Sequence, residues 1–110
     1  EKADPFVIWG TGNQTRDFIH MEDVVAATLE AVKQDIQGPV NLGLGIAISF
    51  NELAELVTEM CGYSPSFERI IGAPEGVQYR VCDPTKMLSF YAPKISLEDG
   101  IKRAIDYLSR

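Results

Sequence analysis

Apolar residues fall along the chain in short runs, some at strand length and some at helical spacing, divided by turns rich in Gly, Pro and polar residues. Phe6-Val7-Ile8-Trp9 is a four-residue apolar run of strand length. Gly10-Thr11-Gly12-Asn13-Gln14-Thr15 follows, and its residue types tolerate positive φ, as a turn requires. Arg16-Asp17-Phe18-Ile19-His20 then resumes as a strand, so the pattern predicts a β-hairpin centred on residues 10–15. Glu22 and Asp23 open a helix over 22–34, where carboxylates meet the positive end of the helix. Val24, Ala27, Thr28, Ala31 and Val32 share one face of it, and Gly38-Pro39 ends the segment.

Val40-Asn41-Leu42-Gly43 reads as a short strand. Ser49-Phe50-Asn51-Glu52 fits a capping box, in which Ser49 accepts from the Glu52 N–H and the Glu52 side chain reaches back. Leu53, Leu56, Val57 and Met60 continue at helical spacing over 50–61, and Gly62 sits where a helix commonly ends in a left-handed residue. Ser66–Ile71 and Tyr79–Cys82 are further strand candidates. Asp83-Pro84 reads as a cap followed by proline at the first helical position, opening a short helix over 84–90. Ser96 caps a last helix over 97–109, with Ile101, Ala104, Ile105 and Leu108 on its apolar face. The pattern is therefore α/β: a small mixed domain of short strands and about four helices.

Length changes this picture little, since 110 residues suit one domain with a modest core. The hydrophobic share of 45% argues against disorder. A net charge of −6 disfavours a nucleic-acid binder, which needs a basic field at the phosphates. It leaves room for a small phosphorylated ligand, because two well-placed arginines suffice locally. No apolar run approaches the roughly 18 residues of a membrane span, and the polar start Glu1-Lys2-Ala3-Asp4-Pro5 lacks a signal-peptide pattern. The expectation is a cytoplasmic chain without membrane or nucleic-acid partners. Cys61, Cys82 and the single His20 are too few for a zinc site of about four ligands, so the cysteines read as free thiols and no metal is expected.

Five motifs in order carry a resemblance. Trp9-Gly10-Thr11-Gly12 followed by Thr15-Arg16-Asp17-Phe18-Ile19-His20-Met21-Glu22-Asp23-Val24 resembles the "G-x-G-x-x-x-R-D-F" segment of nucleotide-sugar epimerases and dehydratases. Val40-Asn41-Leu42-Gly43, the helix opened by Ser49, Asp83-Pro84-Thr85-Lys86 and Ile95-Ser96-Leu97-Glu98-Asp99-Gly100-Ile101 follow in that family's order. The chain thus resembles the C-terminal, substrate-binding part of an extended short-chain dehydrogenase/reductase of the NAD-dependent epimerase/dehydratase family. The distance from Trp9 to Arg16, and that from Pro74-Glu75-Gly76 to Asp83, resemble the GDP-L-fucose synthase branch. Ala73 and Phe90-Tyr91 depart from that branch, which often has Lys and a Gly-aromatic pair there.

The resemblance implies that residues 1–110 form the nucleotide-sugar-binding lobe of a Rossmann-type enzyme whose N-terminal NAD(P)-binding domain lies outside this chain. NAD or NADP would belong to the intact enzyme. No Tyr-x-x-x-Lys pair occurs here, and both Gly10-x-Gly12 and Gly43-x-Gly45 lack the third glycine of a cofactor loop, with Thr15 and Ile48 in its place. No catalytic or cofactor-binding residue is therefore assigned, and this chain alone is expected to be inactive. A UDP-sugar 4-epimerase or dehydratase lobe, and a non-catalytic nucleotide-binding or interaction module, remain alternatives.

Three residues carry the binding expectation. Across a hairpin, Trp9 and Arg16 would face each other; the guanidinium can hold a phosphate in bidentate fashion, and the indole offers a flat wall. The family resemblance gives Arg16 the nucleotide diphosphate and Trp9 a place against the substrate. Without a ligand the same two residues would be a cation–π pair. Arg80 lies where the family carries a basic residue toward the diphosphate; its alternative role is an exposed surface cation. Asp17 points to the other face of its strand and reads as a structural acceptor. His20 has no nucleophile partner and reads as structural, Asn41 carries no ligand role, and Asp83 is a helix cap.

Overall fold

The computed structural model describes residues 2–109. Nine elements follow in chain order: β1 (Phe6–Trp9), β2 (Thr15–Arg16), α1 (Met21–Lys33), β3 (Ile48–Ser49), α2 (Phe50–Met60), β4 (Phe67–Ile70), β5 (Tyr79–Arg80), α3 (Thr85–Leu88) and α4 (Leu97–Leu108). Their contacts group into two compact units. One joins the residues up to Arg16 with Ala47–Arg80; the other joins Asp17–Ile46 with the residues from Val81 onward.

In the first unit, β1 runs parallel to β4, from Phe6 opposite Phe67 to Trp9 opposite Ile70. A second sheet has the order β3-β2-β5, with β2 antiparallel to β3 and parallel to β5. The predicted hairpin does not form, because β1 and β2 belong to different sheets. The turn is present, but its hydrogen bonds lead elsewhere. The Gly10 N–H donates to Ile70 O at 2.9 Å, and the first N–H groups of α2 donate back, Asn51 to Gly12 O at 2.9 Å and Phe50 to Gln14 O at 3.1 Å. Gly12, at φ 79°, holds the left-handed conformation this route needs, and an added Cβ would collide with the Asn51 side chain. The loop thus carries the chain from one sheet to the other.

Helix α2 starts as predicted. Ser49 Oγ accepts from Glu52 N at 3.1 Å, and Glu52 Oε1 accepts from Ser49 N at 3.4 Å. Gly62 follows the C-cap with φ 75°. Ala54 and Thr58 are buried on this helix, and Ile8 is buried on β1. Ser49→Ala is expected to lower stability by about 1 kcal/mol, the usual cost of an N-cap. Chemical denaturation reads this as a lower midpoint at unchanged slope.

In the second unit, α1 is capped by His20, whose Nδ1 accepts from Glu22 N at 3.0 Å. The predicted strand over residues 16–20 therefore stops at Arg16: His20 is extended, but as a helix cap. No strand forms over 40–43. There the Leu44 and Gly45 N–H groups both donate to the Asp17 carboxylate at 2.9 Å, so a side chain does the work of a neighbouring strand. Helix α3 is shorter than predicted. It also starts one residue later: Pro84, expected as its first residue, is its N-cap and brings no side-chain cap bond, while Asp83 accepts from Thr85 N at 3.0 Å just ahead of it, and Lys86 Nζ reaches the carbonyls of Gln37 and Pro39 at 2.6 and 3.1 Å. Helix α4 is capped by Ser96, which accepts from Asp99 N.

Ala27, Met87 and Ile95 form the apolar core of this unit around the carboxylate of Asp23. The buried face of α1 is therefore centred on Asp23 and Ala27, and Val32, expected inside, is 76% exposed. On α4, Ile101 and Ile105 are half-buried as expected, whereas Ala104 and Leu108 are exposed.

Candidate functional site

The first unit gathers the candidate binding residues. Arg16 on β2 and Arg80 on β5 are register partners in a parallel pair, so their side chains leave the sheet on the same face. Like charges directly opposite one another on neighbouring strands are destabilising unless something balances them. Among the described residues neither arginine forms an ion pair; the ion pairs present join Arg103 to Glu22 and to Asp99.

Arg16 is held in place. Its Nη1 donates to the carbonyls of Thr15, at 2.8 Å, and Val77, and Nη2 reaches Glu75 O at 3.4 Å. The guanidinium lies 5.5 Å from the centre of the Phe50 ring. The group is thereby fixed beneath the 75–77 turn, while Nε has no acceptor among the described residues. The Glu75 carboxylate is turned away toward the Gly10–Thr15 turn, where Oε1 accepts from Thr11 N at 3.1 Å and Thr11 Oγ1 at 3.2 Å. The Arg80 side chain is exposed and makes no hydrogen bond or ion pair among the described residues.

Trp9 does not face Arg16. It sits on β1 opposite Ile70 and is 58% exposed. The cation–π partner of Arg16 is Phe50, which together with Trp9 lines one groove of about 420 Å³. The expected Trp–Arg pair fails because the turn between them changes sheets. Phe50 and Glu75 were missed as neighbours of Arg16. Phe50 read only as the first residue of a helix, and Glu75 only as part of a Pro-Glu-Gly turn.

In the second unit, Asp17 is a structural acceptor, as expected. Besides Leu44 and Gly45, it takes the Cys82 N–H at 3.4 Å and the Cys82 thiol at 3.2 Å. Burial pushes the Cys82 thiol above its ordinary pKa, and the Asp17 carboxylate adds to this, so the thiol is kept protonated and weakly nucleophilic. The N–H groups after Gly43 are thus committed to a carboxylate, and the Gly10–Gly12 turn leads into a strand. Neither loop offers the row of free N–H groups at a helix start that a dinucleotide pyrophosphate needs. Asp83 is held below the usual carboxylate range by the Thr85 hydroxyl and N–H. Among the described residues no cluster of three or more His, Cys, Asp or Glu could hold a metal ion, and no helix is long and apolar enough to cross a membrane.

Asp23 is the residue that sequence reasoning most undervalued. It is 1% exposed and accepts from Tyr91 OH at 2.6 Å and from the Lys94 and Ile95 N–H groups at 3.0 Å each. Burial alone would raise its pKa. The Tyr91 hydroxyl, the two N–H groups and nearby His20 outweigh that and bring it below the ordinary value. Tyr91 is in turn pushed up to about 12, first by its hydrogen bond to Asp23.

Residues 1–43 match the model of the NAD dependent epimerase/dehydratase family. The chain is 33% identical over 107 residues to GDP-L-fucose synthase 1 of Arabidopsis thaliana, covering 96% of this chain and 33% of that protein. It is 37% identical over 102 residues to GDP-mannose 3,5-epimerase 1 of Oryza sativa subsp. indica, covering 91% and 27%. Its fold matches MlghC, the GDP-mannoheptose C4 reductase of Campylobacter jejuni with NADP bound. The TM-score is 0.80 at 28% identity, covering 94% of this chain and 34% of that one. It also matches the UDP-glucuronic acid 4-epimerase of Bacillus cereus in complex with UDP-glucuronic acid and NAD, with a TM-score of 0.82 at 28% identity, covering 96% and 35%. The chain spans about a third of the length of the relatives it matches. Over nearly its whole length the chain is thus similar to about a third of proteins of the NAD-dependent epimerase/dehydratase type.

Proposed function

We propose that the first unit binds the diphosphate of a nucleotide sugar, within a longer NAD(P)-dependent epimerase, reductase or dehydratase. The observation that carries this reading is the Arg16–Arg80 register pair, two cations on one face with no acidic partner among the described residues. A diphosphate supplies the missing negative charge and several acceptor oxygens, and arginine meets these with a planar fork of donors. Because Arg16 is already fixed by three carbonyls and the Phe50 ring, little side-chain entropy is lost when it meets the ligand.

On this reading the chain contributes binding, while NAD or NADP and the groups that move hydride and proton belong to the part of the polypeptide outside it. A GDP-sugar is favoured, because GDP-sugar enzymes stand among the similar relatives named above and the Trp9–Arg16 spacing resembles the fucose synthase branch. A UDP-sugar is the second reading, supported by the likeness to the UDP-glucuronic acid 4-epimerase.

The test is a comparison of GDP, UDP and GMP by calorimetry on the longer polypeptide. A diphosphate is expected to bind at least about tenfold more tightly than the monophosphate, one charged hydrogen bond being worth about that factor. The base that binds more tightly decides between GDP and UDP. Equal binding of GDP and GMP refutes the diphosphate role.

A further inference from the structure

The groove of about 420 Å³ on the first unit is lined almost wholly by apolar groups, among them Val7, Trp9, Leu53, Val57 and Pro74. It follows strand β1, which among the described residues has β4 as its one neighbour strand and so leaves an edge to be covered. One polar group breaks the apolar lining. Gln14 is 1% exposed, its Nε2 donates to Trp9 O at 2.9 Å, and its Oε1 has no hydrogen-bond partner among the described residues. The bond to a carbonyl fixes which end of the amide is which, so the orphan atom is an acceptor. A buried acceptor left unpaired is strongly disfavoured, and a purely apolar occupant would not relieve it. Whatever covers this groove brings apolar side chains together with one N–H or O–H.

We infer that the occupant is a segment of the longer polypeptide that precedes residue 1, laid along β1 and donating one hydrogen bond to Gln14 Oε1. The relatives are about three times as long as this chain, which covers 33% of GDP-L-fucose synthase 1. Lys2–Pro5 leads straight into Phe6, which is both the first residue of β1 and part of the groove wall. Residues just ahead of the chain are therefore tethered at the groove, since each spans at most about 3.5 Å. A short tether gives an effective concentration in the millimolar range, which favours this segment over a second copy at ordinary protein concentrations.

The experiment uses the longer polypeptide. Val7, 47% exposed here, is replaced in a Val7→Cys variant, and exposed Glu59 on the polar side of α2 in a Glu59→Cys variant. Thiol labelling is followed by peptide-resolved mass spectrometry, with circular dichroism confirming that both variants are folded. Val7→Cys is expected to label at least about tenfold more slowly than Glu59→Cys, the protection a covered site gains from an opening free energy of about 1.4 kcal/mol or more. In a second measurement, a benzoylphenylalanine at position 7 is irradiated in a mixture of isotopically light and heavy protein. Light–light and heavy–heavy links to a peptide ahead of residue 1 support the inference. Light–heavy links mean that a second copy fills the groove, and links only within residues 2–109, or equal labelling of the two cysteines, mean that the groove stays open. Each of these three results overturns it.

Discussion

Asp23→Asn is expected to lower the stability of the chain by about 2–4 kcal/mol, since charge-assisted hydrogen bonds contribute about 1.5–3 kcal/mol each and share one acceptor group here. The carboxylate receives three donors and has nothing to donate itself. Asparagine keeps one oxygen but turns an NH₂ toward donors. The Tyr91 hydroxyl can rotate to accept from it, whereas the Lys94 and Ile95 N–H groups cannot, so one backbone donor is left buried and unpaired. Tyr91→Phe removes a single bond and is expected to cost less. Urea unfolding checks both, the loss appearing as a lower midpoint at unchanged slope. The same cluster sets the response to pH. The Asp23 pKa is depressed on folding, so its contribution is fully present above the unfolded carboxylate value near 3.8 and is lost as pH falls through the folded value. The Tyr91 pKa is raised to about 12, so its contribution is present below the unfolded value of 10.0 and is lost as pH rises from there toward 12.

Arg16→Ala in the longer polypeptide is expected to weaken GDP-sugar and free GDP alike by roughly 10- to 150-fold, the equivalent of about 1.5–3 kcal/mol for a charged hydrogen bond. Both ligands lose equally because they share the diphosphate. Arg16→Lys restores part of this, since an ammonium keeps the charge without the fork. Arg16 also ties down the carbonyls of Val77 and Glu75, so its removal loosens the 75–77 turn as well as deleting a charge. Arg80 separates the two effects, because it is exposed and makes no such bonds. Arg80→Ala is therefore expected to weaken GDP without loss of stability, and its effect is expected to shrink in high salt. Trp9→Ala is expected to leave GDP binding near that of the unaltered protein, because the indole lines the β1 groove and does not face Arg16.

The helix starts were legible in the sequence because caps are local. Ser49 with Glu52 and Ser96 with Asp99 each place an acceptor within three residues of the donor it serves. Strand pairing was not legible. The Gly10–Thr15 turn has the composition of a hairpin, but its backbone groups are taken by α2 and by Ile70, which lie far along the chain. Asp23 shows the same limit. Near a helix start an acidic residue satisfies the helix dipole, and nothing local signals that Tyr91, Lys94 and Ile95 converge on it. Of the candidate site, the motif order pointed to both arginines, and their strand register is what the structure adds. The position given to Trp9 depended on the hairpin and fell with it.

The most direct test of the arginine pair is a double-mutant cycle on GDP binding in the longer polypeptide, with Arg16→Ala, Arg80→Ala and the double variant titrated at two salt concentrations. If one diphosphate bridges both side chains, each single variant weakens GDP by at least about tenfold, and the double variant loses less than the product of the two effects. If Arg16→Ala remains folded and binds GDP as tightly as the unaltered protein, the register pair is structural alone and this unit does not hold the diphosphate.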